Sequence, residues 1–212
     1  DLSVIGSGPF HPDSSTFSDA LAVLRSCSIC SRVLSAVIER LQRGADGLVD
    51  ETPKPDDRCF EKTIHHICMS NAKMIDRAAL TAQSLGYDVR VLSSTIEGDT
   101  TQAAEDHVEL LRGLIASGDF RRPLCLLSGG ETTVRVKGKG KGGRNTEFVL
   151  RAALRAEDIP DLYIASIGTD GSDGPTDAAG AWMSTELFRS LRGRDIVPER
   201  YAEESGSYTL ME

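Results

Sequence analysis

LLSGGETTVRVKGKGKGGRNTEFVL, residues 126–150, decides how this chain is read. A short apolar strand over 122–127 runs into Ser128-Gly129-Gly130-Glu131, and Thr132 to Val136 reads as a second strand. A loop rich in glycine and lysine follows, and a helix is expected from Asn145 to Ala156, with Asn145 as its cap and Glu147 as an early acidic residue near the dipole. Glycines at 129, 130, 138, 140, 142 and 143 remove Cβ atoms, so successive backbone N–H groups can turn toward phosphate oxygens. Lys137, Lys139, Lys141 and Arg144 are interleaved with them, and Arg144 opens a helix whose N-terminus adds further N–H donors. The spacing is neither a P-loop nor a dinucleotide fingerprint. From residue chemistry alone, a flexible basic hairpin or a nucleic-acid contact stays open beside the anion-binding reading. A structural turn is the plain alternative for Ser128 and Glu131.

Downstream, Leu162 to Ile167 is a buried strand ending at Gly168, and GTDGSDGPTDAAG occupies 168–180. A strand end is the usual ligand position in open α/β sheets. Three carboxylates in this loop, Asp170, Asp173 and Asp177, are hard oxygen donors of the kind that hold Mg²⁺ together with substrate phosphates. Asp170 is the first choice as metal ligand or nucleophile-orienting residue. Asp173 can instead hold the turn, and Asp177 can cap a helix expected over Ala178–Met183. The flanking helices and terminal glutamate of an EF-hand are missing. A basic loop beside an acidic one suits phosphoryl transfer, in which cations neutralise the migrating group and a carboxylate-held metal bridges phosphates.

Upstream, Pro12 to Ser18 is a turn into a helix that Ser14, Ser15 or Thr16 can cap, and a second helix ends at Gly44. Residues 46–59, DGLVDETPKPDDRC, read as an exposed loop, a candidate nick or lid. The apolar run from Thr63 through Ile67 and Met69 reads as a strand carrying His65 and His66, after which Asn71 is expected to cap a helix ending at Gly86. A strand over Asp88–Leu92 and a helix over about Thr100–Ala116 complete a strand–helix alternation that implies a parallel sheet. The last stretch, 192–212, is polar and loses clear periodicity. The fold class expected is α/β, with three-layer-like mixed or parallel sheets and flanking helices.

The 212 residues suffice for one or two domains. With 24 basic and 32 acidic side chains the net charge is −8, which disfavours a nucleic-acid partner and points to a small molecule. Few aromatics are present for base stacking. No apolar stretch approaches the roughly 20 residues of a bilayer span, so no membrane partner is expected. Five cysteines are scattered; Cys27 and Cys30 have zinc-like spacing but lack a second pair of ligands.

The loops at 126–150 and 168–181 closely resemble the C-terminal MOFRL domain of the glycerate kinases that make 2-phosphoglycerate. Further stretches similar to that family are DLSVIGSGPFHPDSSTF at 1–17, ETPKP at 51–55 and SNAKMIDRAALTAQSLGYDVRVLSS at 70–94. The resemblance implies a partial N-terminal glycerate kinase domain over 1–118 and a truncated MOFRL-like domain over 119–212, a two-domain architecture present only in part. It implies transfer of the ATP γ-phosphoryl group to the 2-hydroxyl of D-glycerate with Mg²⁺, with Arg144 and Asp170 as catalytic residues. Ser128, Gly129, Gly130, Glu131, Lys137, Gly138, Lys139, Gly140, Lys141, Gly142, Gly143 and Asn145 are the candidate ATP-binding residues. Ser7, Gly8 and Arg144 are the candidate substrate contacts, and Asp170, Asp173 and Asp177 the metal ligands. Relative to the family, an upstream nucleotide-fold segment with its lysine and a terminal threonine- and glycine-rich segment have no match, and Ser205-Gly206 stands where the family commonly has Asn-Asp. A chain of this length alone is therefore expected to offer half a cleft, the alternative being a noncatalytic nucleotide- or phosphometabolite-binding module. The expected location is the cytoplasm, with a mitochondrial or other organellar address left open because the chain starts at Asp1, and a homodimer is left open as the assembly.

Overall fold

A computed structural model of the chain describes residues 10–212, which divide after Ile67 into two compact units. Within the first, helix α1 (Phe17–Ser26) starts in a capping box: the Thr16 hydroxyl accepts from Asp19 N–H at 3.2 Å and the Asp19 carboxylate accepts from Thr16 N–H at 2.9 Å. Helix α2 (Ser35–Ala45) returns against α1, with the Phe17 ring lying on Gly44 so closely that a Cβ there would sit 2.1 Å from it. The acidic 46–59 stretch is exposed as expected, yet it is tied to the α1 start: Asp13 N–H donates to Pro53 O at 3.0 Å and Phe17 N–H to the Glu51 carboxylate at 3.0 Å. The expected strand over 63–69 is absent. Those residues have no regular structure, and Ile64 and Met69 are exposed, so the apolar run does not build a buried strand.

The second unit begins with α3 (Asn71–Ser84), capped by Ser70 rather than Asn71; the Asn71 side chain instead donates to Ser94 O at 2.6 Å. Strand β1 (Asp88–Asp99) runs further than the expected Leu92 and leads directly into α4 (Thr100–Ser117), whose first N–H groups donate to Asp99 and which stops at left-handed Gly118. Strand β2 (Leu124–Thr133) then pairs in parallel with β1, from Asp88 beside Leu124 to Asp99 beside Thr133. One strand thus replaces the two expected around Ser128–Glu131. The two glycines do not break it, because β1 follows across them with two register shifts.

Helix α5 (Arg144–Arg155) is the hub. It packs against α4 on one side, where Ala152 and Ala156 meet Ala104, Val108 and Ile159. Its other side meets a hairpin of β3 (Tyr163–Ile167) and β4 (Gly180–Ser184), together with helices α6 (Thr185–Arg192), α7 (Pro198–Glu203) and α8 (Ser207–Met211). Val149, Leu150, Ala153, Met183, Phe188 and Ala202 form that core. Each large apolar side chain so buried contributes about 1.5–3 kcal/mol.

Strand β4 replaces the helix expected over 178–183. It pairs antiparallel with β3, Ala165 beside Trp182 and Ile167 beside Gly180, and Met183 is buried while Trp182 is exposed, a period of two. Pairing with β3 overrides the helical preference of the alanines. The polar tail folds into two short helices because both pack on α5. The outcome is a mixed α/β fold with a parallel sheet and flanking helices. Residues 7 and 8 lie outside the described residues.

Candidate active site

The glycine loop enters α5 through Gly143, whose backbone is extended and acts as the N-cap, so Arg144 is the first helical residue. Asn145 is therefore inside the first turn, not the cap. The capping acceptor comes from the acidic loop: buried Asp173 accepts from Asn145 N–H at 2.8 Å and Nδ2 at 3.1 Å through one oxygen. Its other oxygen accepts from Thr146 N–H at 2.8 Å and Oγ1 at 2.9 Å. A carboxylate at a helix N-terminus meets both unpaired donors and the positive end of the dipole. A Cβ on Gly143 would lie 2.4 Å from the Asp173 carboxyl carbon, which is why glycine stands there. Asn145 is fixed from its other end by Ser166, whose hydroxyl donates to Oδ1 at 2.7 Å. The two oppositely charged loops do converge, and a buried aspartate joins them.

Around this joint the exposed groups differ in how far they are engaged. Arg144 Nη1 donates to the Glu131 carboxylate at 2.9 Å at the end of β2. The Asp170 carboxyl is held below the usual carboxylate range, first by the Ser172 N–H and hydroxyl and further by the positive charge of Arg144. Arg144 and Asp170 are thus within electrostatic reach of one another. Asp177 caps nothing, since no helix starts at Ala178; it accepts from the Tyr208 hydroxyl at 2.5 Å. That bond lowers the Asp177 carboxyl and raises the Tyr208 phenol to about 12. Among the described residues no three His, Cys, Asp or Glu side chains form a metal-holding group. Both oxygens of Asp173 are already taken up by four donors, which leaves Asp170 and Asp177 as the exposed carboxylates of the loop, Asp170 engaged within its own turn by Ser172.

Lys137, Lys139 and Lys141 are exposed, whereas the glycines between them are pressed on the chain's last residues. Gly140 N–H donates to Glu204 O at 2.8 Å, and a Cβ on Gly140 would lie 2.5 Å from both Glu204 O and the Gly206 backbone. Gly138 and Gly142 face Glu204 and Ser207 in the same way. Close backbone approach thus accounts for these glycines, and Gly129 and Gly130, within β2, lie against α3 and β1. Ser128 is engaged by a residue that sequence reading passed over. His107 Nδ1 faces Ala103 O at 2.6 Å, an acceptor only, so that nitrogen carries the proton; in the neutral ring, Nε2 accepts the Ser128 hydroxyl at 2.8 Å. A histidine beside the buried α4 stripe of Ala103, Ala104 and Val108 was the available signal.

The MOFRL family matches residues 124–212, and a domain of unknown function (DUF4147) matches residues 1–42. A glycerate 2-kinase of Pyrococcus horikoshii is 35% identical over 213 residues, covering 100% of this chain and 48% of that protein. A D-glycerate 2-kinase of Thermotoga maritima is 33% identical over 99% of this chain and 48% of its own length. The crystal structure of glycerate kinase from Thermotoga maritima superposes with a TM-score of 0.81 at 32% identity, covering 100% of this chain and 48% of the other. The chain spans about half the length of the curated relatives it matches. Sequence kinship and fold agree: along its whole length this chain is similar to about half of a glycerate kinase.

Proposed function

We propose that the polypeptide carrying this sequence transfers the γ-phosphoryl group of ATP to the 2-hydroxyl of D-glycerate, giving 2-phosphoglycerate and ADP. One observation supports the reading: Asp173 clamps the acidic loop that carries Asp170 to the N-terminus of α5, where Arg144 is the first helical residue. Lys137, Lys139 and Lys141 supply cations for the ATP phosphates, with Ser128, Glu131 and the loop backbone completing that side. Arg144 is mobile enough to leave exposed Glu131 and take the developing phosphoryl charge or the substrate carboxylate, because a surface ion pair is worth about 0–1 kcal/mol. Asp170, an exposed carboxylate, would hold Mg²⁺, which would supply positive charge to offset that of the phosphates. Asp177 keeps Oδ2 for the ion while Oδ1 accepts from Tyr208, whereas Asp173 joins only by uncapping α5. The Ser7-Gly8 turn is assigned to the substrate side on resemblance alone.

Strand β1 lies before the expected 118/119 boundary and β2 after it, in one sheet. That boundary, kept as part of the proposal, marks a change of sequence kinship rather than a break in the fold. No helix among the described residues is long and apolar enough to cross a membrane. A cytoplasmic location belongs to the same proposal, and a homodimer is its assembly to test by sedimentation.

Formation of 2-phosphoglycerate from ATP and D-glycerate tests the reading. Arg144→Ala should lower kcat/KM by about 10²–10³-fold, the range for loss of one transition-state donor, with folding unchanged. Undiminished turnover would remove Arg144 from its role. Mg-ATP affinity without any turnover would favour a noncatalytic nucleotide-binding module instead.

A further inference from the structure

The end of the chain does more to the glycine loop than fill space beside it. Lys137 N–H donates to the Ser205 hydroxyl at 3.0 Å, Tyr208 N–H donates to Lys141 O at 3.0 Å, and the Ser207 and Thr146 hydroxyls lie 3.0 Å apart. With the Thr146 proton committed to Asp173, Ser207 is the donor of that last bond. These bonds register α8 against the loop, and the register brings three side chains into line. The Lys141 ammonium stands 4.6 Å from the centre of the Tyr208 ring, while the Tyr208 hydroxyl donates to Asp177 at 2.5 Å.

The order of the three groups matters chemically. A ring face attracts an ammonium through its quadrupole but carries no net charge, so it steers the cation without neutralising it. Asp177 is the nearby anion that would neutralise Lys141, and the two already sense each other's charge. The phenol takes Oδ1 of that carboxylate. Lys141 is exposed at the loop surface, three positions ahead of Arg144.

We propose that Tyr208 is a positioning residue for anion binding: its hydroxyl engages Asp177 Oδ1 while its ring carries Lys141, so the ammonium is presented to a polyphosphate rather than drawn into an ion pair with Asp177. The inference rests on the reading of the glycine loop as the phosphate-binding element, and it goes beyond that reading by assigning a role to a residue of α8 that touches no phosphate. Removing the hydroxyl alone should release Asp177 to pair with Lys141 and quench the clamp, although the ring remains.

The test measures affinity for inorganic tripolyphosphate by calorimetry on the polypeptide carrying this sequence, with turnover of Mg-ATP and D-glycerate in parallel. Tyr208→Phe is expected to weaken tripolyphosphate binding roughly three- to tenfold, the scale of one exposed charge interaction. Adding Asp177→Asn to that variant should restore binding to near the starting value, because no anion is left to capture Lys141. In a Lys141→Met background, Tyr208→Phe should have no further effect. A Tyr208→Phe variant that binds like the parent, a double variant that stays weak, or an equal loss in the Lys141→Met background would each overturn the inference. Turnover without this coupling pattern would sink the role of Tyr208 and leave the kinase reading standing. The coupling pattern without any 2-phosphoglycerate would do the reverse.

Discussion

The glycine loop at 137–143 and the acidic loop at 168–177 are both small-residue loops rich in charge, yet they are built inside out relative to one another. In the first, the glycines are packed against Glu204–Ser207 and the lysines face solvent. In the second, one charge goes inside: Asp173 is 1% exposed and holds four donors while Asp170 and Asp177 stay exposed, and Gly171, at φ +84°, has open space where a side chain would go. Burial of a carboxylate is sustained only by full hydrogen bonding, which the α5 N-terminus provides. The contrast separates residues that build the joint, Asp173 and the packed glycines, from residues free to meet a ligand, Arg144, Asp170 and the lysines.

The largest effect should come from Asp173→Ala. It strands buried donors of Asn145 and Thr146, at a cost of about 3–5 kcal/mol in urea unfolding. A loss below about 1 kcal/mol would mean that water replaces the carboxylate and that the joint is not a built feature. Next, Gly140→Ala forces apart two backbones already in contact and should cost about 1–3 kcal/mol. Gly171→Ala carries only the penalty of a left-handed backbone, about 1 kcal/mol. Equal effects at the two positions would erase the distinction between packed and open loops.

Asp170→Asn sharpens the same comparison from the other side. Stability should stay within about 0.5 kcal/mol of the parent, while product formation falls; an equal drop in both would make Asp170 a second structural aspartate. The smallest effect is a titration. Tyr208 should ionise at about 12, against 10.0 for a free tyrosine, in the ultraviolet difference between the parent and Tyr208→Phe, and Asp177→Asn should bring it back toward 10.0. Between those values the folded chain keeps a proton that the unfolded chain has released, so this contribution to stability is present below 10.0 and is lost as pH rises through about 12. Asp170 and Asp177 behave oppositely. Their carboxyls are held below 3.8, so their contribution is present above that value and fades as pH falls through the lowered ones.

Local rules were legible where local forces decide. The α1 cap, placed among Ser14, Ser15 and Thr16, and the start of α5 after the last loop glycine follow from side-chain caps and backbone freedom within a few residues of each site. The 178–183 segment was not, because its alanines favour a helix until β3 offers a pairing edge. The 63–69 run failed the other way: its apolar residues suit a strand, yet it takes no regular structure and leaves Ile64 and Met69 exposed. The roles of His107 and Tyr208 were missed because each acquires its partner across 21 or 31 positions.

Composition and order alone determined that this chain carries a basic glycine loop and an acidic strand-end loop, since which residues bear charge and which lack a Cβ is a property of the sequence. Tertiary structure alone decided what each does. A carboxylate in water and a carboxylate capping a buried helix end are the same residue until folding sets the donors around it. Asp173 became a clamp, Asp170 stayed open to ligand and Asp177 was handed to Tyr208, because hydrogen-bond satisfaction under burial depends on which distant donors the packed helices bring within about 3 Å.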